Sequence, residues 1–154
     1  MHATRRQLLK GAASASVLAT AVAAGLLRPG QVLAAWNEAA FSATKAADAL
    51  AAIGATDAAE SKNIVVKAPD IAENGAVVPV EVATTMANVE SISILAEKNA
   101  TPLVAQFDLA DFDGMLSTRI KMGSTANVRA VVKAGGKLYT ATKEVKVTVG
   151  GCGG

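Results

Sequence analysis

Histidine and cysteine are almost missing from this 154-residue chain; each occurs once, as His2 and Cys152. Two such residues at opposite ends cannot assemble a zinc site of the Cys/His kind, a c-type haem attachment motif, or a Ser/His/Asp or Cys/His catalytic set. One thiol cannot form an intrachain disulfide. Aromatic residues are also scarce, at 3% of the sequence: Trp36, Phe41, Phe107, Phe112 and Tyr139. A core must therefore be packed by Val, Ile, Leu and Ala, and so modest a core gains from a partner surface. These shortages argue against an enzyme that works by itself.

What is present begins with an export signal. Thr4-Arg5-Arg6-Gln7-Leu8-Leu9-Lys10 places twin arginines ahead of an uncharged, Ala/Val/Leu-rich run from Gly11 to Leu27. Ser14, Ser16, Thr20 and Gly25 dilute that run below the roughly 20 apolar residues of a stable span. Pro29-Gly30 breaks it before the small-residue stretch ending at Ala34. Residues 1–34 read as a Tat signal, with Leu8 where Phe is usual, and a Sec signal as the alternative. The expected location is the periplasm, after folding in the cytosol. Removing Arg5, Arg6, Lys10 and Arg28 leaves 11 Lys plus Arg against 13 Asp plus Glu, a net charge of −2. That charge disfavours a nucleic-acid partner, and the mature form is expected to have no membrane segment.

The mature chain is long enough for one core. Residues 35–62 read as a helical segment, with one helix over Asn37–Ile53, Asn37 as N-cap and Gly54 just past the end. Ala40, Ala43, Ala47 and Leu50 form its apolar stripe, and a short turn over Asp57–Lys62 follows. Residues 63–149 carry β-branched runs separated by turn signals, the pattern of an all-β sandwich of about seven strands. The runs are Ile64–Lys67, Val77–Thr85, Glu90–Glu97, Leu103–Leu109, Leu116–Met122, Ala126–Lys133 and Lys137–Val149. Alternation assigns to the interior Val78, Val80, Val82 and Thr84; Ile92 and Ile94; Leu103, Ala105, Phe107 and Leu109; Leu116, Thr118, Ile120 and Met122; and Val145, Val147 and Val149. Asn74-Gly75 and Gly135-Gly136 predict turns with positive φ. Pro79 cannot donate to a ladder and belongs at an edge or bulge.

Two charged stretches invite functional readings. Asp108-Leu109-Ala110-Asp111-Phe112-Asp113-Gly114 superficially suggests a calcium loop, but aligning Gly114 with the invariant glycine puts Leu109 and Ile120 where oxygen ligands are needed. It reads as a solvated turn between strands. Arg119 and Lys121, with Arg129 on a following strand, suggest a cationic stripe able to steer an anion, against the simpler reading of an exposed face.

Cys152 lies in Gly150-Gly151-Cys152-Gly153-Gly154. With two residues after it, it is not a prenylation box, and with no second cysteine there is no resolving thiol. Four residues without side chains make a slim tether able to enter a narrow channel. From Gly150 the thiol projects about 10 Å. Such a thiol is a handle for covalent cargo. The carboxylate two residues on disfavours the thiolate and predicts a sluggish nucleophile until a partner docks.

The twin-arginine precursor, the N-terminal helix, the segment Ala68-Pro69-Asp70-Ile71-Ala72-Glu73-Asn74-Gly75-Ala76-Val77-Val78-Pro79-Val80 and the GGCGG tail together resemble the SoxY family, the sulfur-carrier subunits of the Sox thiosulfate-oxidising system. The resemblance implies an immunoglobulin-like sandwich paired with a SoxZ-like subunit as a heterodimer, which a Cys152 disulfide would double to a heterotetramer. It implies that Cys152 is the covalent attachment site and that Gly150, Gly151, Gly153 and Gly154 are its flexible arm. Thiosulfate would be joined to Cys152 by the haem enzyme SoxAX, sulfate released by the hydrolase SoxB, and the remaining sulfane sulfur oxidised by SoxCD where present. No cofactor and no catalytic residue are expected on this chain; the only bound group would be sulfur on Cys152. Beyond a turn at Asn74-Gly75 and an edge at Pro79, the segment from Ala68 to Val80 has no physical role legible in the sequence.

Two other readings of the tail compete. Ubiquitin-like sulfur carriers also end in Gly-Gly and hold sulfur as a thiocarboxylate, but they work in the cytosol. An exported sandwich could instead use Cys152 for an intermolecular disulfide, as any exposed thiol does in an oxidising compartment.

Overall fold

A computed structural model describes residues 36–148. The chain divides between Trp36 and Asn37, and every element below belongs to the unit Asn37–Gly154. The signal at 1–34 and the arm at 150–154 lie outside the described residues.

Asn37 caps the first helix, its side-chain oxygen accepting from Ala40 N at 3.1 Å while its amide nitrogen donates to Ala52 O at 2.8 Å. The single helix expected from Asn37 to Ile53 is in fact two, α1 (Glu38–Ser42) and α2 (Ala46–Ala52). The chain turns out of helix at Ala43, whose φ and ψ are −58° and 134°. Ser and Thr at the joint compete for backbone hydrogen bonds; Ser42 Oγ donates back to Glu38 O at 2.7 Å. The break changes the helical phase, so Ala40 and Ala49 are buried while Ala47 is exposed. Gly54, at φ 72°, ends α2 as expected.

Among the described residues the helices lead into nine strands: β1 (Ala59–Glu60), β2 (Ile64–Lys67), β3 (Ile71–Ala72), β4 (Val78–Thr84), β5 (Val89–Ala96), β6 (Leu103–Asp108), β7 (Met115–Ile120), β8 (Ala126–Ala134) and β9 (Lys137–Val147). Seven of these match the expected runs. The additions, β1 and β3, are two residues each and too short to show a period. The small sheet runs β2-β4-β7 and the large one β1-β9-β8-β5-β6, with β3 also on β9. Counting only the seven longer strands, the first, second and fifth form one sheet and the third, fourth, sixth and seventh the other. This is an immunoglobulin-like sandwich whose fourth strand has joined the sheet opposite its usual one. Gly135 and Gly136, at φ 55° and 74°, close the β8–β9 hairpin in the two-residue turn that its twist demands.

Between the sheets, Val78, Val80, Val82 and Ile120 meet Ile92, Ile94, Val128, Val132 and Val145. The alternation anticipated this interface. It did not anticipate a second apolar layer, in which Leu95, Leu103 and Val131 on the outer face of the large sheet pack against Ala40, Ala49 and Ala55. The cause is legible in the register. Ile94 pairs with Ala105 but Leu95 with Leu103, so Val104 is an extra residue on β6. A bulge of this kind reverses the facing of the residues on its far side, and Leu103 joins Leu95 under the helices while Ala105, Phe107 and Leu109 stay on the inner side.

Pro79 lies in β4, the middle strand of the small sheet, and not at a sheet edge. It faces Arg119 on β7, but β2 pairs only as far as Lys67 opposite Glu81. On that side Pro79 is past the last rung, where a missing N–H costs nothing.

Candidate functional site

Cys152, Gly150, Gly151, Gly153 and Gly154 lie outside the described residues; what the structure places is the strand from which they depart. β9 has 11 residues and its neighbour β8 has nine. Their last rung pairs Ala126 with Val145. Beyond it, Lys146, Val147 and Thr148 would have unpartnered backbone on both sides.

Each of those three amides is nevertheless held. On the edge away from β8, Lys146 N donates to Asp70 O at 3.0 Å and Thr148 N to Ala72 O at 3.1 Å, with β3 running parallel to β9. On the other edge, Val147 N donates to Thr125 Oγ1 at 2.9 Å. The hydroxyl supplies the rung that β8, which starts two residues short of the position opposite Val147, does not provide. Successive strand amides point to opposite edges, so two supports on one side and one on the other complete the set.

The strap that carries β3 is anchored in turn. Ala72 is buried in the main core, and Lys143 Nζ lies 3.0 Å from Asp70 Oδ1. Asn74 folds the strap back by accepting from Ala76 N at 2.9 Å, and Met122 N donates to Gly75 O at 2.7 Å. Gly75 was expected to need positive φ and does not have it. Its requirement is space: a Cβ there would collide with Met122 O and lie 2.9 Å from Val147 Cγ1. Only glycine lets the strap come this close to the final residues of β9. Residues Asp70 to Ala76, within the segment whose role was illegible in the sequence, thus form a clamp on the root of the tail.

The clamp residues Gly75 and Thr125 were missed as functional candidates. One signal was present: the run starting at Lys137 is longer than the run at Ala126 that must pair with it, so its last residues need other partners. The reading of Arg119, Lys121 and Arg129 as one stripe is corrected. Arg119 is in the small sheet, whereas Arg129 is in the large one, where Nε donates to Glu97 Oε1 at 2.7 Å. The acidic stretch that starts at the last residue of β6 leads from one sheet to the other, with Asp108, Asp111 and Asp113 exposed and Leu109 and Phe112 packed on the core. Among the described residues no group of three or more His, Cys, Asp or Glu is placed to hold a metal ion, and no helix is long and apolar enough to cross a membrane.

From Thr148 the thiol of Cys152 is four residues away, a reach of about 14 Å for extended chain. The chain has a matching family and a relative among solved structures. No curated protein matches it. Among solved structures, the sulfur carrier protein SoxY from Chlorobium limicola f thiosulfatophilum is 49% identical, with a TM-score of 0.61, over 73% of this chain and 100% of that one. A superoxide reductase (neelaredoxin) from Ignicoccus hospitalis is 15% identical, with a TM-score of 0.49, over 56% of this chain and 80% of that one. Residues 49–152, from the second helix to the tail cysteine, match the family described as sulfur oxidation protein SoxY. A match spanning the sandwich, the strap and Cys152 is a match to the parts that define this architecture, and the chain belongs to the SoxY family.

Proposed function

We propose that this protein is a covalent sulfur carrier of thiosulfate oxidation, and that Cys152 is its attachment site. The observation that carries the reading is the family match extending through Cys152, joined to a strand held rigid to Thr148 just before the glycines. In the loading step the thiol and thiosulfate lose two electrons and one proton to the haem enzyme SoxAX, forming an S–S bond and a cysteine S-thiosulfonate. Water then attacks the terminal sulfone at SoxB; sulfate and two protons leave, and a persulfide anion stays on Cys152. SoxCD, where present, oxidises that sulfane sulfur. The glycines let the arm enter each active site, and the chain itself contributes no cofactor and no catalytic group. A SoxZ-like subunit completes the heterodimer, export follows the Tat route, and the working compartment is the periplasm.

Intact mass of the protein from cells grown on thiosulfate tests this. Thiosulfonate or sulfane adducts on the C-terminal peptide are expected, and Cys152→Ser should abolish them. Adducts that survive this substitution would point to the terminal carboxylate. A thiol found only free or as a disulfide would sink the carrier reading in favour of an intermolecular link.

A further inference from the structure

We propose that Gly75 and Thr125 are positioning residues of the carrier arm, which set how far Cys152 can stray from the body of the protein. The inference rests on the carrier reading and adds a mechanism to it. β8 pairs with β9 only up to Val145. Were that the sole support, seven residues would separate the last fixed position from Cys152; with Lys146, Val147 and Thr148 held by Asp70, Thr125 and Ala72, four do.

The difference can be expressed as an effective concentration. The root-mean-square span of a flexible tether grows as about the square root of its length, so seven residues reach about 1.3 times as far as four. With the protein body docked on an enzyme, the local concentration of the tip falls as roughly the three-halves power of tether length. Releasing the clamp therefore dilutes the thiol about 2.3-fold at a fixed active site. It also removes the fixed direction in which the arm leaves, so about twofold is the smallest loss expected. Docking itself involves the body and is left unchanged.

The two residues reach the root by different routes, which allows independent perturbations. Thr125→Val removes the oxygen that Val147 N–H donates to while keeping the side-chain shape; Thr125→Ser keeps the oxygen. Gly75→Ala forces the strap off Met122 and Val147. The experiment uses the full mature chain in complex with its partner subunit, loaded with thiosulfate by the haem enzyme and followed by intact mass. Amide hydrogen exchange of Val147 and Thr148 is measured on the same samples.

Thr125→Val and Gly75→Ala should each speed exchange at Val147 and Thr148 and lower the kcat of loading, the two together by about twofold or more, while KM stays unchanged. Thr125→Ser should restore both. Faster exchange with wild-type kcat would overturn the proposal, as would a raised KM with unchanged kcat, which would make the strap a docking surface. Exchange that does not change would show that these contacts do not hold the root. Should Gly75→Ala fail to fold, Thr125→Val still decides the matter. A wild-type protein that accepts no sulfur on Cys152 overturns the carrier reading instead, and is told apart because the exchange result stands without it.

Discussion

Leu95 and Ile94 are adjacent on β5, both fully buried at 0% exposure, and point to opposite sides of the large sheet. Ile94 faces the small sheet, whereas Leu95 is covered only by the short helices and the residues around them. Truncating either to alanine removes comparable apolar volume and leaves a cavity the backbone cannot fully close, which costs about 2–5 kcal/mol. Taking about 3 kcal/mol for Leu95→Ala removes about a third of the stability of a domain holding near 10 kcal/mol. With a urea slope of about 1.5 kcal/mol per molar, the unfolding midpoint falls by about 2 M. The assay is urea denaturation of the mature chain with its partner subunit, with Ile94→Ala alongside. The refuting result is specific: Leu95→Ala moves the midpoint by less than about 0.4 M while Ile94→Ala shows its full cost. The helices would then not bury the outer face, and the large sheet would be open on that side.

Three further outcomes are expected. Glu97→Gln should cost about 1 kcal/mol, because Arg129 Nε donates to Glu97 at 2.7 Å with the two side chains 25% and 21% exposed; a cycle with Arg129→Met measures the coupling, which should shrink in 1 M salt. Glu90 titrates below the ordinary carboxylate range because it accepts from Lys133 and from Gly136 N, and the same hydrogen bond with Lys133 raises the lysine. The carboxylate's contribution is present above its unfolded pKa and lost as pH falls through the folded one, while the lysine's is present below its unfolded pKa and lost as pH rises through the folded one. The stability difference between wild type and Glu90→Gln should accordingly be flat from about pH 5 to pH 10 and shrink outside that window. Gly54→Ala should cost about 1 kcal/mol, and Gly54→Asn less, because φ is 72° with no atom within 4 Å of an added Cβ; equal costs would implicate a clash instead of the backbone.

Where a residue's surroundings are set by its own strand, the sequence shows them. Val78, Val80 and Val82 alternate with residues that are exposed or half-buried, and they face the opposite sheet as their period requires. Leu103 shares that period and yet faces the helices, because the bulge at Val104 is created by pairing with β5 and leaves no mark on β6 itself. The helix break at Ala43 was likewise hidden by a helical stripe that continues across it. At the site, Cys152 and its glycines stand out because nothing else in the chain resembles them. Thr125 does not, because an ordinary threonine acquires its role only when the strand that follows it proves two residues short of Val147. Gly75 was noticed for the wrong property: next to Asn74 it reads as a turn glycine, and its closeness to Val147, 72 positions away, exists only in the folded chain.

The carrier reading makes two demands that conflict within a few residues of each other. The thiol must be free to enter several different active sites, and the enzymes must find it at a predictable place. A mobile tail alone satisfies the first demand and dilutes the second, and each further loose residue worsens the dilution as roughly the three-halves power of length. A fold can satisfy both only if rigidity persists as far along the strand as possible and then ends abruptly. β9 carries the ordered part of this arrangement as far as Thr148. It is the longest strand among the described residues, paired along β8 from Lys137 to Val145, then flanked by β3 and completed by a threonine hydroxyl up to Thr148. Substitutions that lower carrier function without unfolding the protein should therefore fall in two places: the glycines and Cys152 of the arm, and the strap and Thr125 that hold its root.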